Sequence, residues 1–234
     1  MRSLAGEKTT KAYLEPQEVQ RLEDAATNPR DRLLVRLLFR LGCRISEGLS
    51  LALDDIDFER GEVTIQHLKT RMHLSCPRCG GPISRASQYC QKCGERVNEA
   101  VARQLEHRRR RTLPVDRETL SMISEYLAKG GGVLRDSRKL LFGINRHRAW
   151  QIVRECAGRA GLTPLVNPDT GKVRGVSPHR LRDAFAVNAV KRDDSGDGLR
   201  LLQEHLGHQS FNTTARYRKV SGEEHRDWYA RLWE

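Results

Sequence analysis

The chain has 234 residues, enough for one large domain or two small ones, and its 38% hydrophobic content argues against wholesale disorder. A formal net charge of +12 and a pI near 9.8 point to a polyanionic partner, nucleic acid ahead of an anionic membrane. No apolar run approaches the ~20 residues that cross a bilayer, and the opening MRSLAGEKTTKAYLEPQE has no signal-peptide core, so a cytoplasmic, reducing location is expected.

Residues 1–13 are polar and are expected to form a flexible N-terminus. Pro16 suits the first turn of a helix whose inner face is Val19, Leu22, Ala25 and Ala26, ended by Asn28-Pro29. The next predicted helix, residues 30–41, is apolar at Leu33, Leu34, Leu37, Leu38 and Leu41, a stripe wide enough for a central, mostly buried helix. Gly42 can cap it, Arg44 follows at once, and Ser46 is placed as the cap of a short helix with Glu47 and Leu49. From Ile56 the apolar period becomes two: Ile56 and Phe58, a turn at Arg60-Gly61, then Val63 and Ile65, a β-hairpin. Residues 111–115 supply a further strand of a small antiparallel sheet, with Pro114 at an edge or strand end.

Between these strands lie Cys76-Pro-Arg-Cys79-Gly and Cys90-Gln-Lys-Cys93-Gly, separated by ten residues. In a reducing location such cysteines suggest metal rather than disulfides. Two C-x-x-C-G turns form zinc knuckles, and four thiolates close a tetrahedral structural site with no open position, so one structural Zn²⁺ is expected on Cys76, Cys79, Cys90 and Cys93. The segment is too poor in apolar residues to fold alone, so the metal supplies its folding free energy. Cys43 and Cys156 lie on apolar helical faces and read as core thiols. The run His107 to Arg111 is either a solvated face or a source of phosphate contacts.

Helices are predicted at about 117–127 and 146–160, the first broken by Gly130-Gly131-Gly132. Residues 162–176 read as a turn-rich loop, and Ser177-Pro178 starts a helix with Leu181, Phe185 and Val190 inward and His179 and Arg182 close together at its N-terminal end, itself suited to a phosphate. A polar loop at 191–198 leads to an amphipathic helix at 199–206, where Gly207 ends the helix and lets His208 turn. Asn212 or Thr213 is placed as the cap of a helix bearing Tyr217, whose sequence neighbours Thr213, Thr214, Arg216, Arg218 and Lys219 predict polar, basic surroundings. Taken singly, Arg44 reads equally as a surface cation and Tyr217 as a half-buried aromatic. Together, guanidinium, imidazole and phenol suggest chemistry at a phosphodiester.

This order of motifs resembles the tyrosine recombinases, the phage integrase and Xer-like group: Arg44 in LGCRISEGLSL, Lys69 in HLKTR, His179 and Arg182 in SPHRLRDAFA, His208 in EHLGHQS, and Tyr217 in TTARY. The resemblance runs from about Leu14 to the end, the cysteine insert apart. It implies a mainly α (α+β) catalytic fold at 14–220 with a small antiparallel sheet, interrupted at 72–106 by the zinc ribbon, and a helix at 221–234 that docks in cis or on a neighbouring protomer. It further implies double-stranded DNA as partner, a homo-oligomer of two to four copies on that DNA, no membrane, and strand exchange through a 3′-phosphotyrosyl bond with neither catalytic metal nor ATP. Tyr217 would attack, Arg44 and Arg182 would hold the phosphate, His208 and His179 would assist, and Lys69 would protonate the leaving oxygen. The family's separate N-terminal clamp has no counterpart in the dozen leading residues, which suits either a cut chain or a minimal form. Two other readings stay open: a non-catalytic zinc-ribbon DNA-binding regulator on the same scaffold, and a nicking-closing enzyme like the type IB topoisomerases.

Overall fold

The computed structural model describes residues 11–67, 71–84, 87–96, 101–105, 109–166, 170–208, 210–215 and 217. The chain divides into two compact units, a larger one within 1–65 and 111–234 and a smaller one within 66–110.

The larger unit begins with α1 (Pro16–Asp24), α2 (Pro29–Arg40) and α3 (Ile45–Leu49). Pro29 sits in the first turn of α2, and the Asn28 side chain accepts from the Asp31 amide, so the Asn-Pro pair that stops α1 also starts α2. Leu33, Leu34, Leu37 and Leu38 are fully buried, and α2 packs against α1 and against the later helices Arg117–Ala128 and Pro178–Arg192, as its wide apolar stripe predicts. Burial of each such leucine contributes about 2 kcal/mol. Strand β1 (Ile56–Asp57) pairs antiparallel with β2 (Glu62–His67), Ile56 opposite Val63. Phe58 falls outside the strand and is exposed, because Asp57 turns the chain there by accepting from the Glu59 and Arg60 amides.

The smaller unit holds β3 (Arg71–Ser75), β4 (Pro82–Ile83) and β5 (Val101–Leu105), a sheet in the order β4-β3-β5 with Arg71 opposite Leu105 and Ser75 opposite Val101. The chain then re-enters the larger unit through β6 (Arg109–Pro114), an edge strand in the sheet β1-β2-β6 that ends at Pro114.

Then come α4 (Arg117–Ala128), β7 (Val133–Arg135), β8 (Arg138–Leu140), α5 (Arg146–Arg159), β9 (Leu165–Val166), β10 (Val173–Arg174), α6 (Pro178–Arg192), α7 (Gly196–Leu206) and α8 (Phe211–Ala215). The β7–β8 hairpin carries no Asn-Gly signal. Its two turn residues are Asp136 and Ser137, both at positive φ (47° and 63°), conformations the sequence pattern gives little reason to expect. Helix α7 starts three residues earlier than the apolar pattern indicates, because Ser195 caps it by accepting from the Gly198 amide. The C-terminal helix expected at 221–234 lies outside the described residues.

Charged groups are buried among these helices, Arg36 the largest of them. Arg36, on α2, is 1% exposed; its Nε donates to Thr119 Oγ1 at 2.8 Å and its Nη atoms to Glu23 and Asp116 at 3.3 Å. Burial raises the Glu23 carboxyl, and only the nearby guanidinium groups counter it. Replacing Arg36 with Met should therefore destabilise the protein by about 3–5 kcal/mol in urea unfolding, because a buried carboxylate loses its partner. The loss should be smaller at pH 5 than at pH 8, since Glu23, its folded pKa raised, can take up a proton at the lower pH.

Candidate active site

The site begins where α2 stops. Gly42 takes φ 53°, and a Cβ there would lie 2.5 Å from the Phe185 ring, so only glycine fits the turn. Two residues on, Arg44 forms the entrance to α3, and the cap is not Ser46. The Glu47 carboxylate reaches back and accepts the Arg44 amide at 2.9 Å. A carboxylate with two acceptor oxygens outcompetes the Ser46 hydroxyl because it also binds side chains: Arg44 Nη1 at 3.0 Å, and the Arg111 Nη1 and Nη2 atoms at 3.3 and 2.7 Å. Glu47 is buried, which alone would raise its carboxyl. The Arg111 hydrogen bonds and charge, with the Arg44 amide and charge, outweigh burial and hold it at about 2. Arg111, in β6, is thus drawn inward from the basic run, and its Nε is buried with no hydrogen-bond partner among the described residues.

Arg182, on α6, is 2% exposed and donates to two backbone carbonyls, Gly42 O and Leu206 O, each at 2.7 Å. Burial, followed by the charge of Arg44, lowers it to about 10, so it remains a cation at neutral pH. Beside it, burial lowers His205 to about 4, leaving a neutral ring stacked on Phe185 with centroids 4.7 Å apart. Its Nε2 lies 3.1 Å from Leu41 O; a carbonyl only accepts, so this nitrogen carries the hydrogen. Arg182 and His205 therefore tie the turn that carries Arg44 to the end of α7. There Gly207, at φ 66°, ends the helix as its sequence predicts, and a Cβ on it would come within 3.0 Å of Arg111 Nη1.

Past that turn, His208 Nδ1 is 2.9 Å from Thr214 Oγ1. Tyr217 follows α8, with Asn212 and Thr213 inside that helix rather than capping it. Its environment differs from the polar one that its sequence neighbours suggest. The ring is 2% exposed and belongs to an apolar cluster with Ala186, Val187 and Val190 of α6 and Leu199, Leu202 and Leu206 of α7. It lies nearly parallel to the His208 ring, 17° between planes and 6.4 Å between centroids. The hydroxyl donates to Asp183 Oδ1 at 2.8 Å. His179, the expected neighbour of Arg182, instead lies two-thirds exposed with Nε2 3.8 Å from the same Asp183 oxygen, while Arg182 points inward from the helix. The other Asp183 oxygen accepts from Arg180 at 3.3 Å. Arg44, Arg182, His208 and Tyr217 are thus gathered in the larger unit; Lys69 lies outside the described residues. Asp183 is the participant that motif reasoning missed. It stands four residues after His179 and directly after Arg182, but nothing in that local pattern points to Tyr217.

Within the smaller unit the four cysteine sulfurs lie within 4.8 Å of one another, with Cys76 to Cys93 and Cys79 to Cys90 both at 3.6 Å. A tetrahedron with ~2.3 Å metal–sulfur bonds has edges of about 3.8 Å, so the cluster fits one metal ion. Each knuckle closes alike: the Gly80 amide donates to Cys76 O and the Gly94 amide to Cys90 O, both at 2.9 Å and with both glycines at positive φ. Amides of Cys93 and Lys92 lower the Cys90 thiol to about 7, while the crowding of Cys79, Cys76 and Cys90 raises that of Cys93.

The sequence matches the phage integrase family over residues 12–101 and 95–224. The chain is a member of the phage integrase family. It is 28% identical to the tyrosine recombinase XerA of Pyrococcus furiosus over 225 residues, covering 92% of this chain and 59% of that protein. It is 31% identical to the tyrosine recombinase XerD of Bifidobacterium longum over 226 residues, covering 93% of this chain and 61% of that one. The chain therefore spans about three-fifths of the length of these curated relatives. Among solved structures, a crystal structure of XerA recombinase superposes over all of this chain and 66% of its own, with TM-score 0.64 and 20% identity. XerH site-specific recombinase bound to its palindromic difH substrate, a post-cleavage complex, gives 0.61 at 18% identity, over 99% of this chain and 56% of that one. These likenesses establish the tyrosine recombinase catalytic fold, about half helical with small antiparallel sheets. Among the described residues no helix is long and apolar enough to cross a membrane.

Glu47, its folded pKa depressed, contributes stability above its unfolded pKa, near 4.5, that is lost as the pH falls toward about 2. Wild-type protein should lose on the order of 3 kcal/mol from this group across that window. Glu47→Gln should remove that part of the acid dependence, and urea unfolding at pH 2–6 measures both.

Proposed function

We propose that this chain is a site-specific DNA recombinase that cuts and rejoins DNA strands through a 3′-phosphotyrosyl intermediate at Tyr217. The observation that carries the reading is the convergence of Arg44, Arg182, His208 and Tyr217, from widely separated segments, on the two turns at Gly42 and Gly207. The names of its tyrosine recombinase relatives support it.

In this reading Tyr217 Oη attacks the scissile phosphate, forming the O–P bond as the bond to the 5′ oxygen breaks. Arg44 and Arg182 face the charge that develops on the non-bridging oxygens, where preorganised donors are worth most. His208 donates a hydrogen bond to one of those oxygens, and His179 orients the phosphate or assists proton transfer. Lys69 gives a proton to the departing 5′ oxygen. The phosphotyrosyl bond conserves the energy of the broken one, so a 5′ hydroxyl reverses the step without ATP, and guanidinium groups supply the charge that a catalytic metal supplies elsewhere.

The partner is double-stranded DNA, and two to four copies assemble on it. The catalytic domain runs from 14 to 220, with the ribbon at 72–106 inserted in it and residues 221–234 as a helix that docks in cis or on a neighbour. The ribbon holds one structural Zn²⁺ on Cys76, Cys79, Cys90 and Cys93, where it supplies folding free energy to a segment without an apolar core. The cytoplasm, where DNA is accessible, is the expected location.

Incubation with nicked duplexes from the protein's own genomic flanks, resolved on denaturing gels, tests the assignment. Wild-type protein should give a covalent adduct, Tyr217→Phe none, and Arg182→Ala about 10²–10³-fold less. Tight binding without an adduct on any cognate duplex would favour a regulator, and relaxation of supercoiled DNA by a monomer would favour a nicking-closing enzyme. Metal analysis should return one zinc per chain, lost on Cys76→Ser.

A further inference from the structure

The mechanism above does not say which group first receives the nucleophile's proton. When Tyr217 attacks, its phenol must lose a hydrogen, yet the ring is 2% exposed and packed among aliphatic side chains, away from bulk water. The structure supplies an acceptor. We propose that Asp183 is a further catalytic residue, whose carboxylate takes the Tyr217 proton as the bond to phosphorus forms. This rests on the reading of Tyr217 as the nucleophile.

Three observations carry it. The phenol donates directly to Asp183 Oδ1 at 2.8 Å, the distance from which a proton passes between oxygens without an intervening water. Asp183 is itself 3% exposed, so its carboxylate is held for this contact rather than solvated. The same Oδ1 lies 3.8 Å from His179 Nε2, and His179 is two-thirds exposed. A buried phenol, a buried carboxylate and an exposed imidazole thus form a graded route from the nucleophile to solvent. Arg180, on the other carboxylate oxygen at 3.3 Å, fixes the group in place and offsets the charge it would present to an approaching phosphate. Asp183 also follows Arg182 directly, so the helix that presents the phosphate-binding guanidinium presents the proton acceptor one residue later.

The step balances. In cleavage the Tyr217 Oη–P bond forms, the P–O5′ bond breaks, the phenol proton moves to Asp183 Oδ1, and the leaving oxygen takes its proton from the separate acid. In rejoining, the 5′ hydroxyl displaces the tyrosine and Asp183 returns the proton to the departing phenolate. Loss of the carboxylate must slow both directions, and it must do so whatever the leaving group.

The experiment uses the full chain and two nicked duplexes, one with the ordinary phosphodiester and one with a 5′-bridging phosphorothiolate, whose sulfur leaves without needing a proton. Asp183→Asn, which keeps the shape and a hydrogen-bond acceptor, should lower the rate of adduct formation by about 10²–10⁴-fold on both duplexes at a temperature where the variant is folded, with DNA affinity unchanged. It should slow rejoining by the same factor. Asp183→Ala should be partly restored by formate and not by chloride at equal ionic strength. Adduct formation by Asp183→Asn at or above the wild-type rate would overturn the proposal, the bond then being only a restraint on the nucleophile. A defect erased by the phosphorothiolate would also overturn it, since it would place Asp183 on the leaving-group side. Should the Asp183 variants unfold, His179→Gln, at an exposed position, should slow both directions on both duplexes, and a wild-type rate there would overturn the route. Failure of wild-type protein to form any adduct marks failure of the nucleophile assignment itself, and this inference falls with it.

Discussion

A single buried carboxylate sets the geometry on which the candidate site depends. Glu47 Oε1 is touched by guanidinium nitrogens from both Arg44 and Arg111, one from the entrance of α3 and one from an edge strand. At about 6 Å, two like unit charges repel by about 3 kcal/mol even at an effective dielectric constant of 20. Without the carboxylate the two cations would separate, and with them the helix entrance and the strand. Burial opposes a charged Glu47, but two guanidinium groups and an amide overcome it, which makes the cluster sensitive to removal of any one member.

Around this node, charge is held mainly by backbone rather than by opposite charge. Arg182 donates to the carbonyls of Gly42, in one turn of the site, and of Leu206, just before the other, and neutral His205 donates to Leu41. Carbonyls orient a guanidinium without neutralising it, so Arg182 keeps the positive charge a phosphate needs. Gly42 and Gly207 make this possible: each takes positive φ, and at each an added Cβ would crowd a side chain of the site, Phe185 at one and Arg111 at the other. The two glycines therefore do more than end helices; they let two chain segments approach the same arginines.

Much of this was legible in the sequence. The helical stripe of Leu33, Leu34, Leu37 and Leu38, the Leu-Gly-His turn and the paired C-x-x-C-G knuckles are local patterns, and local patterns survive folding. What the sequence hid was non-local. Arg36 looks like a polar residue on an apolar helix until Glu23, Asp116 and Thr119, the last 83 positions away, close around it. Arg111 was one of several arginines in a run until its strand placed it against Glu47. Tyr217 was read from its sequence neighbours as a residue in polar surroundings, but a residue just after a short helix points where tertiary packing sends it, here between α6 and α7. Asp183 was invisible for the same reason: nothing local links it to a tyrosine 34 residues later.

The neighbours Arg182 and Asp183 bear on how the proposed reaction would position Tyr217. Consecutive residues on a helix diverge by about 100°. One therefore reaches the turns at Gly42 and Gly207 while the other reaches the Tyr217 hydroxyl, and a rigid helix fixes the angle between them. In the proposed reaction, Tyr217, hydrogen-bonded to the helix that carries Arg182, is oriented before DNA arrives. The entropy of placing it is then lost on folding rather than in the reaction, where misplacement by 1 Å can reduce the rate about a hundredfold.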